Sequence, residues 1–148
     1  MKTEINIYVI LGIIFIHWIA DFVMQTEKMA ISKSTSNYWL TRHVLVYSTV
    51  WFFACLFYCA YLDGFNWTQR GVNLVFIFPI ITFICHWITD YYTSRLNTKL
   101  LPPKEEHPTD KGYFKQLGGE FHNFFVSIGF DQVIHYLQLI ITFQILSQ

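Results

Sequence analysis

The chain has 148 residues, of which 53% are hydrophobic and only 14% are charged. Soluble domains average about 25% charged residues, so this composition is unusual for a protein that is surrounded by water. The ten basic and ten acidic residues balance, which argues against a nucleic-acid partner because such binders rely on excess positive charge. The length fits one domain, which we predict to cover residues 1–148.

Four apolar segments, taken in chain order, predict membrane-spanning helices at about residues 5–24, 42–62, 71–92 and 121–146. A bilayer core of about 30 Å needs about 20 mostly apolar residues in an α-helix, and each segment is long enough. Residues 44–62 carry no charge and lack the polar stripe that a helix at the surface of a soluble protein shows. The sequence therefore predicts an all-α integral membrane protein, a bundle of four transmembrane helices.

Lysine and arginine are distributed unequally between the two predicted sides of the membrane. The side of the first and third connections holds eight of the ten, and the other side holds Lys2 and Arg70. Basic residues are retained in the cytoplasm. We therefore expect a cytoplasmic loop at residues 95–120, interrupted by prolines, and both termini on the extracytoplasmic side of a multi-pass protein.

One sequence pattern occurs twice. The segment from His17 to Asp21 reads H-W-I-A-D, and the segment from His86 to Asp90 reads H-W-I-T-D, each followed by an aromatic residue. The first and third predicted helices cross the membrane in the same direction. The two halves of the chain are therefore predicted to be parallel repeats, each a helical hairpin.

Every predicted span carries a histidine in its cytoplasmic half, and three spans add an aspartate four residues away. Residues four apart share one face of a helix, and the order of histidine and aspartate reverses in the last span, as does the helix direction. Charged groups at mid-bilayer cost about 2.5–3.5 kcal/mol each and turn inward. We therefore expect one polar site formed by His17, Asp21, His43, His86, Asp90, Asp131 and His135.

Imidazoles and carboxylates together are typical ligands of a divalent transition metal such as zinc, manganese or iron. All seven residues are candidate metal ligands, with the histidines of the first, third and fourth spans preferred. Such an ion would activate water for hydrolysis, and a carboxylate left free would accept the proton. The candidate catalytic residues are Asp21, Asp90 and Asp131.

Other interpretations of the same residues stay open. Intramembrane histidines and aspartates also form non-enzymatic relays or carriers for protons or metal ions, or hold helices together by hydrogen bonds without a metal. Haem ligation is a further possibility. We expect Gln25 and Gln132, which neighbour the aspartates, to support the site by hydrogen bonding.

The expected partners are the lipid bilayer and an anionic or lipid-linked substrate. Basic residues at the predicted cytoplasmic helix ends could hold such an anion, namely Lys28, Lys33, Arg42 and Arg95. Four short helices also leave surface for a homo-oligomer.

Two motifs carry a resemblance to a known family. The opening H-x-x-x-D-F-x-x-Q runs from His17 to Gln25, and the closing D-Q-x-x-H runs from Asp131 to His135. With them the chain resembles a domain-of-unknown-function family of small phage and bacterial inner-membrane proteins. That resemblance implies the bacterial inner membrane but no activity, so an accessory phage protein acting on the host envelope is one alternative. A looser similarity, in residue types and topology, to membrane proteins described as metal-dependent hydrolases implies hydrolysis.

Overall fold

The computed structural model describes residues 6–62, 69–100 and 110–148, with side chains for 6–61, 69–100 and 122–148. All regular secondary structure in these ranges is helical, which confirms the all-α prediction. The α-helices are α1 (Ile7–Trp18), α2 (Glu27–Ser32), α3 (Asn37–Phe57), α4 (Gln69–Val72), α5 (Phe78–Leu100) and α6 (Asp110–Leu146). Wider π-helical turns continue α1, α3 and α4, at Ile19–Val23, Tyr58–Leu62 and Asn73–Ile77.

Three stretches are long and apolar enough to cross a membrane, namely Asn37–Tyr61, Gln69–Leu100 and His122–Leu146. They correspond to the second, third and fourth predicted spans. The first predicted span is a shorter apolar helix of 17 residues, Ile7–Val23. The described residues thus show a protein with helices suited to a bilayer, and the fourth crossing and the hairpin repeats stay predictions.

Local chemistry explains several helix ends. The side chain of Asn6 accepts a hydrogen bond from the backbone N–H of Tyr8 at 2.9 Å, and Thr26 caps α2 in the same way through Met29 at 3.3 Å. Such caps satisfy N–H groups that have no partner within the helix. Pro79 lacks an N–H, and its ring crowds the carbonyl four residues earlier. The wider π-helical turn before it makes room for the ring.

Helical structure extends into the predicted loop 95–120. Helix α5 continues to Leu100 and α6 begins at Asp110, while residues 101–109, with the three prolines of this loop, lie outside the described residues. A helix need not end where its apolar residues end, because water also tolerates helical backbone. The short helix α2 lies in the first connection, where hydropathy gave no signal.

Helix α5 packs against both α3 and α6, and α1 packs against α6. Large side chains fill one half of the interior, where the ring centroids of Trp51 and Phe78 lie 5.3 Å apart. Leu74 and Leu139 are fully buried beside them. Apolar side chains also cover the outside of each long helix, for example Phe15, Phe53, Ile84 and Phe130, all more than half exposed. Soluble monomers rarely expose so much apolar surface, so these faces suit lipid contact.

Candidate metal centre

The seven candidate residues all point into the interior of the bundle, and none is more than 8% exposed. Helix α1 contributes His17, the turn after it contributes Asp21, and α3 contributes His43. Two residues come from α5 and two from α6. The structure therefore brings residues that are up to 118 positions apart (His17 to His135) into one buried polar cluster.

Four donor atoms form a compact group. Oδ1 of Asp21 lies 3.0 Å from Nε2 of His43 and 3.5 Å from Nε2 of His86, and the two imidazole nitrogens are 3.2 Å apart. Oδ2 of Asp90 lies 3.4 Å from Nε2 of His43 and 3.6 Å from Nε2 of His86. These four residues, which we call the four-donor group, could hold a metal ion.

A second group shares Asp90 with the first. Its Oδ1 lies 3.2 Å from Nε2 of His135, which in turn is 3.4 Å from Oδ1 of Asp131. Asp90, Asp131 and His135 each offer a donor atom within 4.8 Å of the others. We call these residues the three-donor group. One carboxylate, that of Asp90, thus faces both groups.

His17 lies beside these groups and is occupied by neutral partners. Its Nδ1 lies 2.7 Å from the hydroxyl of Tyr47, and its Nε2 lies 2.8 Å from Oε1 of Gln132. The amide oxygen accepts the proton of Nε2, so the tyrosine hydroxyl donates to Nδ1. The nearest carboxylate oxygen, on Asp21, is 3.8 Å from Nε2. The position of His17 therefore fits a residue that orients the donors.

Gln132 connects the first and last spans. Its Nε2 donates to Oδ2 of Asp21 at 3.3 Å and to Oδ2 of Asp131 at 3.1 Å. Because its Oε1 also accepts from His17, both the oxygen and the nitrogen of the amide are hydrogen-bonded. The hydrogen-bonding role predicted for Gln132 is confirmed. Oε1 of Gln25 makes no hydrogen bond among the described residues, and the supporting role of Gln25 stays a prediction.

Lys33 reaches the cluster from the end of α2. Its Nζ donates to Oδ2 of Asp90 at 2.8 Å, and its side chain is 18% exposed. Burial lowers the pKa of this amine, but the neighbouring carboxylates of Asp90 and Asp21 outweigh burial and raise the pKa above its ordinary value. Lys33 therefore carries a positive charge against the carboxylate that both donor groups share.

Stacked rings hold the imidazoles in place. The ring of His86 lies between Tyr47 and His135, at centroid distances of 3.9 Å and 4.2 Å. Sequence reasoning missed Tyr47, although it follows His43 by four residues and so shares its helix face. His122, the other histidine described on α6, is exposed and away from the cluster, because α6 continues through Gly129 as one helix.

Residues 9–148 match the family described as protein of unknown function (DUF3307). The chain belongs to this family. The match confirms the family resemblance drawn from the sequence. No curated protein and no solved structure matches the chain. The family description assigns no chemistry to this DUF3307 protein. The buried cluster is therefore the feature of the described residues that bears on its function.

Proposed function

We propose that this DUF3307 protein is a metal-dependent hydrolase of the bacterial inner membrane, with a divalent transition metal held by its buried histidines and aspartates. The spacing of the four-donor group carries the proposal. Metal–nitrogen bonds of about 2.0–2.1 Å place the ligands of a tetrahedral ion about 3.4 Å apart. Five of the six separations between its donor atoms run from 3.0 to 3.6 Å, and all lie within 4.8 Å.

The donor types fit zinc, manganese or iron, because two imidazoles and two carboxylates combine the ligands that these ions accept. Such an ion supplies Lewis-acid activation of water near neutral pH. The residues around it orient the donors: Gln132 fixes Asp21, and the ring stack fixes His86. Asp131 lies outside the four-donor group and, in a site with one ion, is the carboxylate free to accept a proton.

A cavity of about 530 Å³ adjoins the cluster. Lys33, Asp90 and Asp131 line it, together with hydroxyl and amide side chains such as Ser94, Thr98 and Asn97. These side chains offer hydrogen-bonding partners to water and to a polar head group, and Ile31, Phe124 and Ile128 in the same cavity offer apolar contacts to the start of a tail. We propose that the substrate is an anionic, lipid-linked molecule whose head group enters this cavity while its tail stays in the bilayer.

The membrane arrangement belongs to the same proposal. A 17-residue helix such as Ile7–Val23 is at the short end of the range that spans a bilayer, about 17–25 residues. With it, the chain crosses four times as two parallel helical hairpins, with the cavity facing the cytoplasm and both termini outside. A reporter enzyme fused after Gln148 should be active on the extracytoplasmic side, and cytoplasmic activity there would reverse the orientation.

A proton or metal carrier is the second candidate, favoured by the series of close contacts from Asp21 through His43 to Asp90. A carrier needs such a path through the whole membrane. In the half of the bundle around Trp51 and Phe78, the described residues include no carboxylate and no imidazole. The polar path therefore ends halfway, which favours an enzyme open to one side.

Metal analysis tests the proposal directly. The full-length protein, purified in mild detergent without chelators, should hold at least about one equivalent of zinc, manganese or iron, since buried donors bind such ions tightly. It should release phosphate from dioctanoyl phosphatidic acid, stop after treatment with EDTA, and resume when one of these ions is restored. Less than about 0.2 equivalents of metal would overturn the proposal. Ion uptake into proteoliposomes without hydrolysis would favour the carrier.

A further inference from the structure

The three-donor group has the features of a second metal site. Zinc sites that do chemistry commonly have three protein ligands and one open position, whereas structural sites have four. Asp90, Asp131 and His135 supply three donors, and the two aspartates line the cavity beside them. All members of the four-donor group are at most 4% exposed. One group therefore resembles a closed site and the other an open one.

One carboxylate oxygen of the open group has the imidazole of His135 beside it but makes no hydrogen bond among the described residues. Asp131 is only 8% exposed, and its Oδ1 makes no hydrogen bond among the described residues. The nearest donor there, Nε2 of His135, is 3.4 Å away, outside hydrogen-bond geometry. Burying a carboxylate oxygen without a hydrogen bond is costly, and a cation bound to that oxygen would remove this cost.

Asp90 presents a different oxygen to each group. Oδ2 faces His43 and His86, at 3.4 and 3.6 Å, while Oδ1 faces His135 at 3.2 Å. A carboxylate with each oxygen directed at a separate donor set can bridge two ions, as in hydrolases with paired metals about 3.5–4 Å apart. Because α5 packs against both α3 and α6, its residue Asp90 can contact the donor groups on both sides.

The geometry points to a two-metal centre in which Asp90 bridges a closed ion site, completed by Asp21, His43 and His86, and an open ion site, completed by Asp131 and His135. This inference rests on the proposed function and deepens it. In the two-metal centre Asp131 binds an ion instead of accepting a proton.

Charge supports an anionic ligand at the open site. Three carboxylates and protonated Lys33 leave two net negative charges, which a single divalent ion neutralises. A second divalent ion leaves a net positive charge next to the cavity. A phosphate group in that cavity would balance this charge, which matches the class of substrate proposed above.

Metal counting separates one ion from two. The wild-type protein should hold two equivalents after saturation and desalting, whereas His135→Gln and Asp131→Asn should each hold one. The matched control His122→Gln changes an exposed histidine of the same helix and should hold two. One equivalent in the wild type, or no loss of metal in Asp131→Asn, would overturn the two-metal centre and leave the proposed function standing. No bound metal at all would overturn both.

A spectroscopic measurement on the wild type avoids any dependence on how the variants fold. When the protein is loaded with Mn²⁺, two ions bridged by Asp90 should give an exchange-coupled electron paramagnetic resonance spectrum. The hyperfine pattern of isolated Mn²⁺ at full loading would contradict the inference. Inorganic phosphate should perturb the coupled spectrum of the wild type, and a spectrum unchanged by phosphate would argue against an anion at the open site.

Discussion

The two H-W-I-x-D segments have the same sequence pattern but different surroundings. Asp21 lies in a π-helical turn, whereas Asp90 lies in the regular helix α5. The side chain of Asp21 contacts His43 and Gln132. Asp90 contacts Lys33 and His135 and faces both donor groups. The carboxylate of the second segment is therefore the more central one.

The histidines of the two segments differ even more. His17 uses both ring nitrogens on neutral partners, Tyr47 and Gln132. Nε2 of His86 faces two carboxylates and a second imidazole, while its Nδ1 makes no hydrogen bond among the described residues. A shared pattern thus fixes the helix face and the burial of a side chain, and the neighbouring helices decide what that side chain contacts.

The largest expected difference between the segments concerns the aspartates. Asp90→Asn should reduce bound metal below about 0.2 equivalents, because both ions lose the shared ligand. It also leaves Lys33 opposite a neutral amide, which should lower the free energy of unfolding by about 3 kcal/mol. Asp21→Asn should keep about one equivalent, at the three-donor group. Metal analysis and thermal unfolding in the same detergent measure both effects. Equal losses in the two variants would show that Asp90 is no more central than Asp21.

The histidines should differ in metal affinity. His86→Gln removes a ligand and should weaken the affinity for Zn²⁺ by more than about 100-fold, while His17→Gln removes only an orienting group and should cost about tenfold. Competition with a zinc-binding dye measures both constants. If the two variants lost affinity equally, His17 would be a ligand after all.

The lysine contact is found in only one segment. Lys33→Gln removes a cation that competes for Oδ2 of Asp90, so the affinity for Zn²⁺ should rise by about tenfold. Lys28→Gln is the matched control, since Lys28 lies in α2, the helix that ends just before Lys33, but is placed over the ring of Trp39. Its affinity for Zn²⁺ should equal that of the wild type. Unchanged affinity in Lys33→Gln would show that the amine leaves Asp90 without cost.

The smallest effect concerns the tryptophans. The indole N–H of Trp87 donates to Thr41 at 3.1 Å, whereas Trp18 is half exposed. Trp87→Phe should lower the free energy of unfolding by about 0.6 kcal/mol, a common value for hydrogen bonds between membrane helices. For Trp18→Phe we expect no measurable change. Urea or sodium dodecyl sulfate titration of both variants gives the comparison.

The main helices and the buried cluster were predictable because membranes constrain sequences strongly. An uncharged run such as residues 44–62 has few alternatives to a spanning helix, and the cost of a charge in lipid directs Asp21, Asp90 and Asp131 inward. The spacing of four residues between each histidine and aspartate then fixes one face per helix. These arguments need no knowledge of which helices are neighbours.

The contacts within the cluster were not predictable in the same way. Lys33 follows a short helix that hydropathy does not reveal, and its partner Asp90 is 57 positions away. The π-helical turn at Asp21, which packs against α3, has no distinctive residue that would reveal it in the sequence. Gln132 could be assigned a supporting role from its position next to Asp131, but its contact with His17 depends on how α1 and α6 pair.

The order of the helices along the chain has a consequence for how the protein is made. The closed ion site uses only α3, α5 and the turn after α1, all of which leave the ribosome before α6. The open site needs Asp131 and His135, which come from α6. During synthesis the first ion would therefore find its ligands before the chain is finished, and the second would have to wait for the last helix to insert.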